Sequence, residues 1–161
     1  MAELAPQYLW RIAKHTATYA ATDLSGGGAK ITGGRWNSKG VAVVYAATSI
    51  ALATLETLAH VNDRIVIRNA FLVRINVPAA LWQRRDIVRA HELPLTWLAE
   101  PPGSTTIAFG NAWLRQAGTA LLLVPSIIVP EEYNVLINPA CAEVRSITSA
   151  VLRHYIYDPR L

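Results

Sequence analysis

The chain has a single cysteine, Cys141, among 161 residues. That excludes an internal disulfide and suits a reducing compartment. Charge is also scarce: Asp, Glu, Lys and Arg make up 16% of the chain, against 52% hydrophobic residues. A chain this apolar is not disordered, and its length fits one domain over residues 1–161 with a real core. Long hydrophobic runs are missing as well. The most apolar stretch, Val41 to Ala59, is interrupted by Tyr45, Thr48, Ser49, Thr54, Glu56 and Thr57. A membrane span needs about 20 mostly apolar residues without an ionised centre. The opening MAELAPQYLWRIAKH lacks the basic start, apolar run and small-residue cleavage site of a secretory leader, so a cytoplasmic location is expected. Neither GxxxxGK[ST] nor GxGxxG occurs, which excludes those modes of phosphate binding. His15, His60, His91 and His154 are scattered without ligand spacing and without an acidic cluster, so no metal is expected.

The net charge is +4, from 15 Lys and Arg against 11 Asp and Glu. Arginines are spread over Arg64, Arg68, Arg74, Arg84, Arg85 and Arg89 rather than gathered in a tail, so direct nucleic-acid binding is not expected. The charge is compatible with an anionic ligand or acidic partner, and equally with an ordinary solvated surface.

SGGGAKITGG, Ser25 to Gly34, concentrates five glycines in ten residues and reads as a mobile loop or a backbone lying against a ligand. VAVVYAA reads as a buried strand. Ser49 or Thr48 then caps a helix from about Ile50 to His60. FLVRINV, Phe71 to Val77, alternates as a strand, with Pro78 closing it. Helical turns are expected around Trp82 and Trp97. Asn111 is expected to cap a short helix, AWLRQA, ending at Gly118. TALLLVPSIIV reads as one or two strands with Pro125 at an edge or bulge, and EEYNVLINP as a turn into a further strand. Short strands and helices in mixed order predict an α+β (mixed α/β) domain around a mostly antiparallel sheet.

Glu56 is the unusual residue of the apolar helix. At 100° per residue Ala51, Leu52, Leu55, Leu58 and Ala59 form one apolar face, with Glu56 at its edge beside Leu52 and His60. A boundary glutamate that only reaches water is one reading. The other is functional: a glycine loop, Arg35, Trp36 and Tyr45 precede it, the residue types that a cleft for an aromatic, phosphate-bearing ligand requires.

SGGGA, GGRWNSKG, VVYAA, TSIALATLE, GNAWL, LLVPS and NVLINP, arriving in this order from about Trp10 to Ile147, resemble the RES-domain family. These are toxins of bacterial toxin–antitoxin pairs partnered by an Xre-type antitoxin. The resemblance implies a fold similar to ADP-ribosyltransferase toxins and an activity on NAD as substrate, with no further cofactor. Carried over by position, it implies active-site arginines at Arg11 and Arg35, with Tyr45, Glu56 and Ser126 completing the set. The chain departs from the common pattern at Gly27, where relatives often carry Glu, and near Cys141, in a region that often holds His or Asp.

Breaking the nicotinamide–ribose bond leaves an oxocarbenium-like ribose, so a fixed anion near the sugar lowers the barrier, and Glu56 supplies it. Arg11 and Arg35 are assigned to phosphate or ribose, Tyr45 to stacking on nicotinamide, and Ser126 to a hydrogen bond with ribose or amide. The structural alternatives are an ion pair for Arg11, a core aromatic for Tyr45 and a bulge for Ser126. Trp36, Trp113, Asn138 and Pro139 read as structural first. Three functions follow: an NAD glycohydrolase or phosphorylase, an ADP-ribosyltransferase with a protein target, or a non-catalytic module paired with a DNA-binding antitoxin. The expected partner is an Xre-type helix-turn-helix antitoxin that occludes the site, in an assembly with more than one toxin copy.

Overall fold

The computed structural model describes residues 5–60 and 69–161. Arg64, Arg68 and the start of the segment leading into Phe71 lie outside the described residues. The described chain forms β1 (Gln7–Lys14), α1 (Gly27–Thr32), β2 (Val44–Ala47), α2 (Ile50–His60), β3 (Ala70–Val77), α3 (Ala79–Gln83) and β4 (Asp86–Ile87). It continues with α4 (Ser104–Gln116), β5 (Leu121–Pro125), β6 (Tyr133–Ile137) and β7 (Thr148–His154), and with short 3-10 turns that include Leu95–Leu98. These strands make a seven-stranded sheet in the order β4-β5-β6-β2-β1-β3-β7. Every pairing is antiparallel except β4 with β5. The expected α+β class with a mostly antiparallel core is the one observed.

Core strands are apolar on both faces. β5 is buried at all of Leu121–Pro125, and Val135, Leu136 and Ile137 of β6 are at most 1% exposed. One cluster packs Leu9, Val44, Val73, Ile75, Leu121, Val135 and Ile137 on one side of the sheet. A second gathers Trp36, Val43, Trp113, Val124 and Leu136 on the other. A third, smaller cluster seats α2 through Leu52 and Ala53 on Ala47, Trp10 and Ile12.

The sheet opens between β1 and β2. β1 pairs with β3 along all of Gln7–Lys14, and β2 pairs with β6 along all of Val44–Ala47. β1 and β2 meet at the single pair Trp10↔Ala47. The two halves of the sheet diverge from that point, and α2 runs over the gap.

Several local expectations change. The glycine segment is ordered around the helical turn α1, entered through Gly26 at φ +74°, where a Cβ would lie 2.6 Å from the Val43 nitrogen. Asn111 does not cap a helix. α4 begins seven residues earlier, at Ser104, and Asn111 turns its amide to Ser38 instead, donating to Oγ at 2.6 Å and accepting from its N–H at 3.1 Å. α4 ends as Ala117 enters the left-handed region at φ 48°, just before Gly118. On α2 the buried face is Leu52, Ala53 and Thr54, while Ala51, Leu55 and Ala59 are exposed. Alanine and leucine occur on nearly every side of this helix, so periodicity alone could not select the face that seats. Pro125 ends β5, where its missing N–H costs the ladder nothing. Strands β1, β4 and β7 are not among those expected from the sequence. Among the described residues no helix is long and apolar enough to cross a membrane.

Candidate active site

The gap between β1 and β2 holds a cavity of about 270 Å³, walled by Trp10, Arg11, Ile12, Tyr45, Ala46, Ala47, Ala53, Glu56, Thr57, His60 and Asn134. A neighbouring cavity of about 410 Å³ is bounded by the glycine segment 26–33 with Arg11, Tyr19, Asp23, Val43, Tyr45 and His60. Arg11, Tyr45 and His60 border both, so the two are lobes of one cleft. One lobe carries Glu56 and the other carries the glycine backbone.

Ser49 starts α2 by accepting the Leu52 N–H on its Oγ at 3.1 Å, and the helix then delivers Glu56 over the end of β6. Glu56 Oε1 accepts from Ser126 Oγ at 2.7 Å and from Asn134 Nδ2 at 2.6 Å. Both donors converge on one oxygen. Oε2 is thereby left for a second partner, and the carboxylate is fixed in orientation before any ligand arrives. Ser126 is itself locked: fully buried, its Oγ accepts the N–H groups of Ile128 and Val129, each at 3.1 Å. With its proton given to Glu56 and its lone pairs taken by the backbone, the hydroxyl orients the acid and does not line either lobe.

Arg11 reaches the junction of the lobes from the strand that loses its partner there. Its Nη1 donates to the Asp23 carbonyl at 3.2 Å, which leaves most of its five donors for a ligand. Burial lowers its pKa, opposed by the charges of Asp23 and Tyr19. A guanidinium nonetheless remains protonated at neutral pH.

Tyr45 presents its ring to both lobes while its hydroxyl faces away from water. That hydroxyl donates to Asn37 Oδ1 at 2.7 Å and accepts the Trp36 N–H at 3.0 Å. Burial drives its pKa well above the tyrosine range, against the opposing Trp36 hydrogen bond and the charge of Arg35. It therefore stays a neutral donor.

Arg35 is directed elsewhere. Its Nη1 donates to the carbonyls of Trp97 at 3.1 Å and Ala99 at 2.9 Å, and its Nη2 pairs with Glu100. It borders neither lobe of the cleft. Of the residues singled out from sequence, the cleft gathers Arg11, Tyr45 and Glu56 on its walls with Ser126 behind, and Arg35 latches the 97–100 segment.

Asn134, Asn37 and His60 were not singled out. Asn134 and Asn37 were legible as parts of NVLINP and GGRWN. Asn37, 1% exposed, donates to the carbonyls of Ala29 and Val41, each at 2.9 Å, and so ties the glycine segment to β2 and Tyr45. His60 follows Glu56 by one helical turn and joins it on the cleft wall.

Fold and cleft define an α+β domain whose cleft carries one oriented acid and one arginine on its walls. Residues 8–158 match the RES domain family. A protein of Sphingobium sp. (strain YBL2) described as "Prs ADP-ribosylating toxin" is 52% identical over 152 residues, covering 94% of each chain. The "Toxin Res" of Yersinia enterocolitica is 36% identical over 144 residues, 89% of this chain and 93% of that one. The solved M. tuberculosis MbcT–MbcA toxin–antitoxin complex contains a chain similar in fold, with a TM-score of 0.67 at 18% identity over 93% of this chain and 86% of that one. The protein described here belongs to the RES-domain toxin family.

Proposed function

We propose that this chain is a toxin that cleaves the nicotinamide–ribose bond of NAD and passes the ADP-ribosyl group to a protein acceptor. The observation that carries the reading is Glu56, an acid fixed by Ser126 and Asn134 on the wall of a cleft whose junction holds Arg11. As the C1′–N bond breaks, nicotinamide leaves as a neutral base and the ribose takes up positive charge. A carboxylate about 4 Å from that charge contributes roughly 4 kcal/mol at an effective dielectric of 20, which is worth about a thousandfold in rate. The acceptor then bonds to C1′ and loses its proton, for which Glu56 is the available base. Arg11 supplies a planar fork for the pyrophosphate, and the Tyr45 ring offers a stacking face for nicotinamide.

Support for a protein acceptor comes from the relative at 52% identity, whose name specifies ADP-ribosylation of Prs. Water and phosphate are the competing nucleophiles. The test is incubation of the purified chain with NAD alone, with phosphate, and with Prs, followed by mass spectrometry. Transfer predicts an ADP-ribosyl mass increase on Prs that outpaces free ADP-ribose. Free ADP-ribose or its 1-phosphate as the sole product would make the enzyme a glycohydrolase or a phosphorylase, and intact NAD in every arm would defeat the reading.

The partner follows from the same cleft. An antitoxin of the Xre type would silence the toxin by inserting an acidic segment or terminal carboxylate beside Arg11, in competition with NAD. The solved complex of the similarly folded toxin is consistent with such pairing. Assemblies with more than one toxin copy remain part of this proposal, and sedimentation of the co-expressed pair measures the stoichiometry.

A further inference from the structure

The glycine lobe, like the Glu56 lobe, sets one carboxylate beside the shared Arg11. Among the described residues Arg11 is its only lysine or arginine, and it stands at the junction, where the pyrophosphate of a dinucleotide would cross from one lobe to the other. Among the described residues the other fixed charge on that wall is the carboxylate of Asp23. Its carboxylate is held by Ser25, whose Oγ donates to Asp23 Oδ2 at 2.6 Å and in turn accepts the Gly27 N–H at 3.2 Å. Asp23 is therefore tied into the glycine turn by its side chain, while its carbonyl receives Arg11.

We propose that Asp23 makes the site selective for a dinucleotide with a free adenosine ribose, so that NAD is a substrate and its 2′-phosphorylated form is rejected. The inference rests on the reading of the cleft as an NAD site. With the nicotinamide ribose beside Glu56 and the pyrophosphate on Arg11, the remaining adenosine half has the glycine lobe to occupy. There a carboxylate accepts hydrogen bonds from ribose hydroxyls, whereas a 2′-phosphate meets a like charge with its nearest arginine already engaged. One unscreened carboxylate at such range discriminates by at least about tenfold.

The experiment measures kcat/KM for NAD and for NADP with the wild-type chain, Asp23→Asn and Ile31→Arg. Ile31 lines the same lobe at 74% exposure, so an arginine there adds a cation without disturbing the core. The wild type is expected to prefer NAD by about tenfold or more, and both variants to narrow that ratio severalfold, Ile31→Arg by raising activity on NADP. If Asp23→Asn fails to fold, Ile31→Arg still decides. Equal use of the two dinucleotides by the wild type, or a ratio that neither folded variant moves, overturns the role of Asp23 while leaving NAD cleavage intact. Consumption of neither dinucleotide would instead bring down the reading of the cleft itself.

Discussion

Asn134 Nδ2 lies 2.6 Å from Oε1 of Glu56, on the same oxygen that receives the Ser126 hydroxyl. The acid is thus oriented by two neutral donors, one on β6 and one just past the end of β5, and neither brings a positive charge to cancel its own. A site that stabilises a developing cation requires this combination of fixed position and retained charge.

Glu56→Gln keeps the shape and removes the charge. Turnover of NAD should fall by roughly a hundredfold or more with the melting temperature nearly unchanged. A Gln variant of wild-type rate would remove Glu56 from the mechanism.

Ser126→Ala and Asn134→Ala separate orientation from folding. The serine change also strips the acceptor from the Ile128 and Val129 N–H groups, so it should cost about 1–3 kcal/mol in denaturant unfolding. Asn134→Ala should lower kcat by about tenfold with a smaller stability loss. Equal kcat for wild type and Asn134→Ala would mean that Glu56 needs no such alignment.

Arg11 and Arg35 should behave as opposites. Arg11→Lys keeps a charge at the cleft junction but loses the fork, so KM for NAD should rise by about tenfold. Arg35→Lys removes the paired contacts to the Trp97 and Ala99 carbonyls and should cost about 1–2 kcal/mol of stability, with kinetics close to wild type. A folded Arg35→Lys with a tenfold kinetic defect would return Arg35 to the ligand.

The fold class and the start of α2 could be read from the sequence because their signals are local: a Ser49 cap, and short apolar strands in mixed order with short helices. Glu56 was legible for a similar reason, as one acid in an otherwise apolar helix. The fate of Arg35 was not. Its partners are carbonyls more than 60 residues away, and nothing in GGRWN distinguishes a guanidinium facing a ligand from one facing a loop. The length of α4 was hidden in the same way, because Asn111 suggests a cap until Ser38 is brought beside it. β1 went unread because Arg11 and Lys14 interrupt its apolar pattern, and only the cleft explains an arginine on an interior strand.

Gly110→Ala tests the seating of α4. A Cβ at this position would lie 1.8 Å from the Trp36 carbonyl oxygen, a backbone atom that cannot swing aside. Destabilisation of about 3 kcal/mol or more is expected in thermal or denaturant unfolding.

Tyr45 provides a prediction in pH. Its folded pKa is raised above the unfolded value of about 10, so the stability it contributes is complete below that pH and is lost as pH rises through the folded value. Tyr45→Phe should reduce this alkaline loss while lowering stability at neutral pH, since Asn37 and the Trp36 N–H lose their partner. Identical stability profiles for wild type and Tyr45→Phe above pH 10 would refute the assignment.

Glu56 is separated from Ser126 by 70 residues and from Asn134 by 78. During synthesis at roughly 5–20 residues per second, the acid leaves the ribosome several seconds before the donors that aim it. β6, which carries Asn134, must then insert between β2 and β5 to complete the sheet. A nascent chain therefore carries an unaimed Glu56 until β6 has been made and seated.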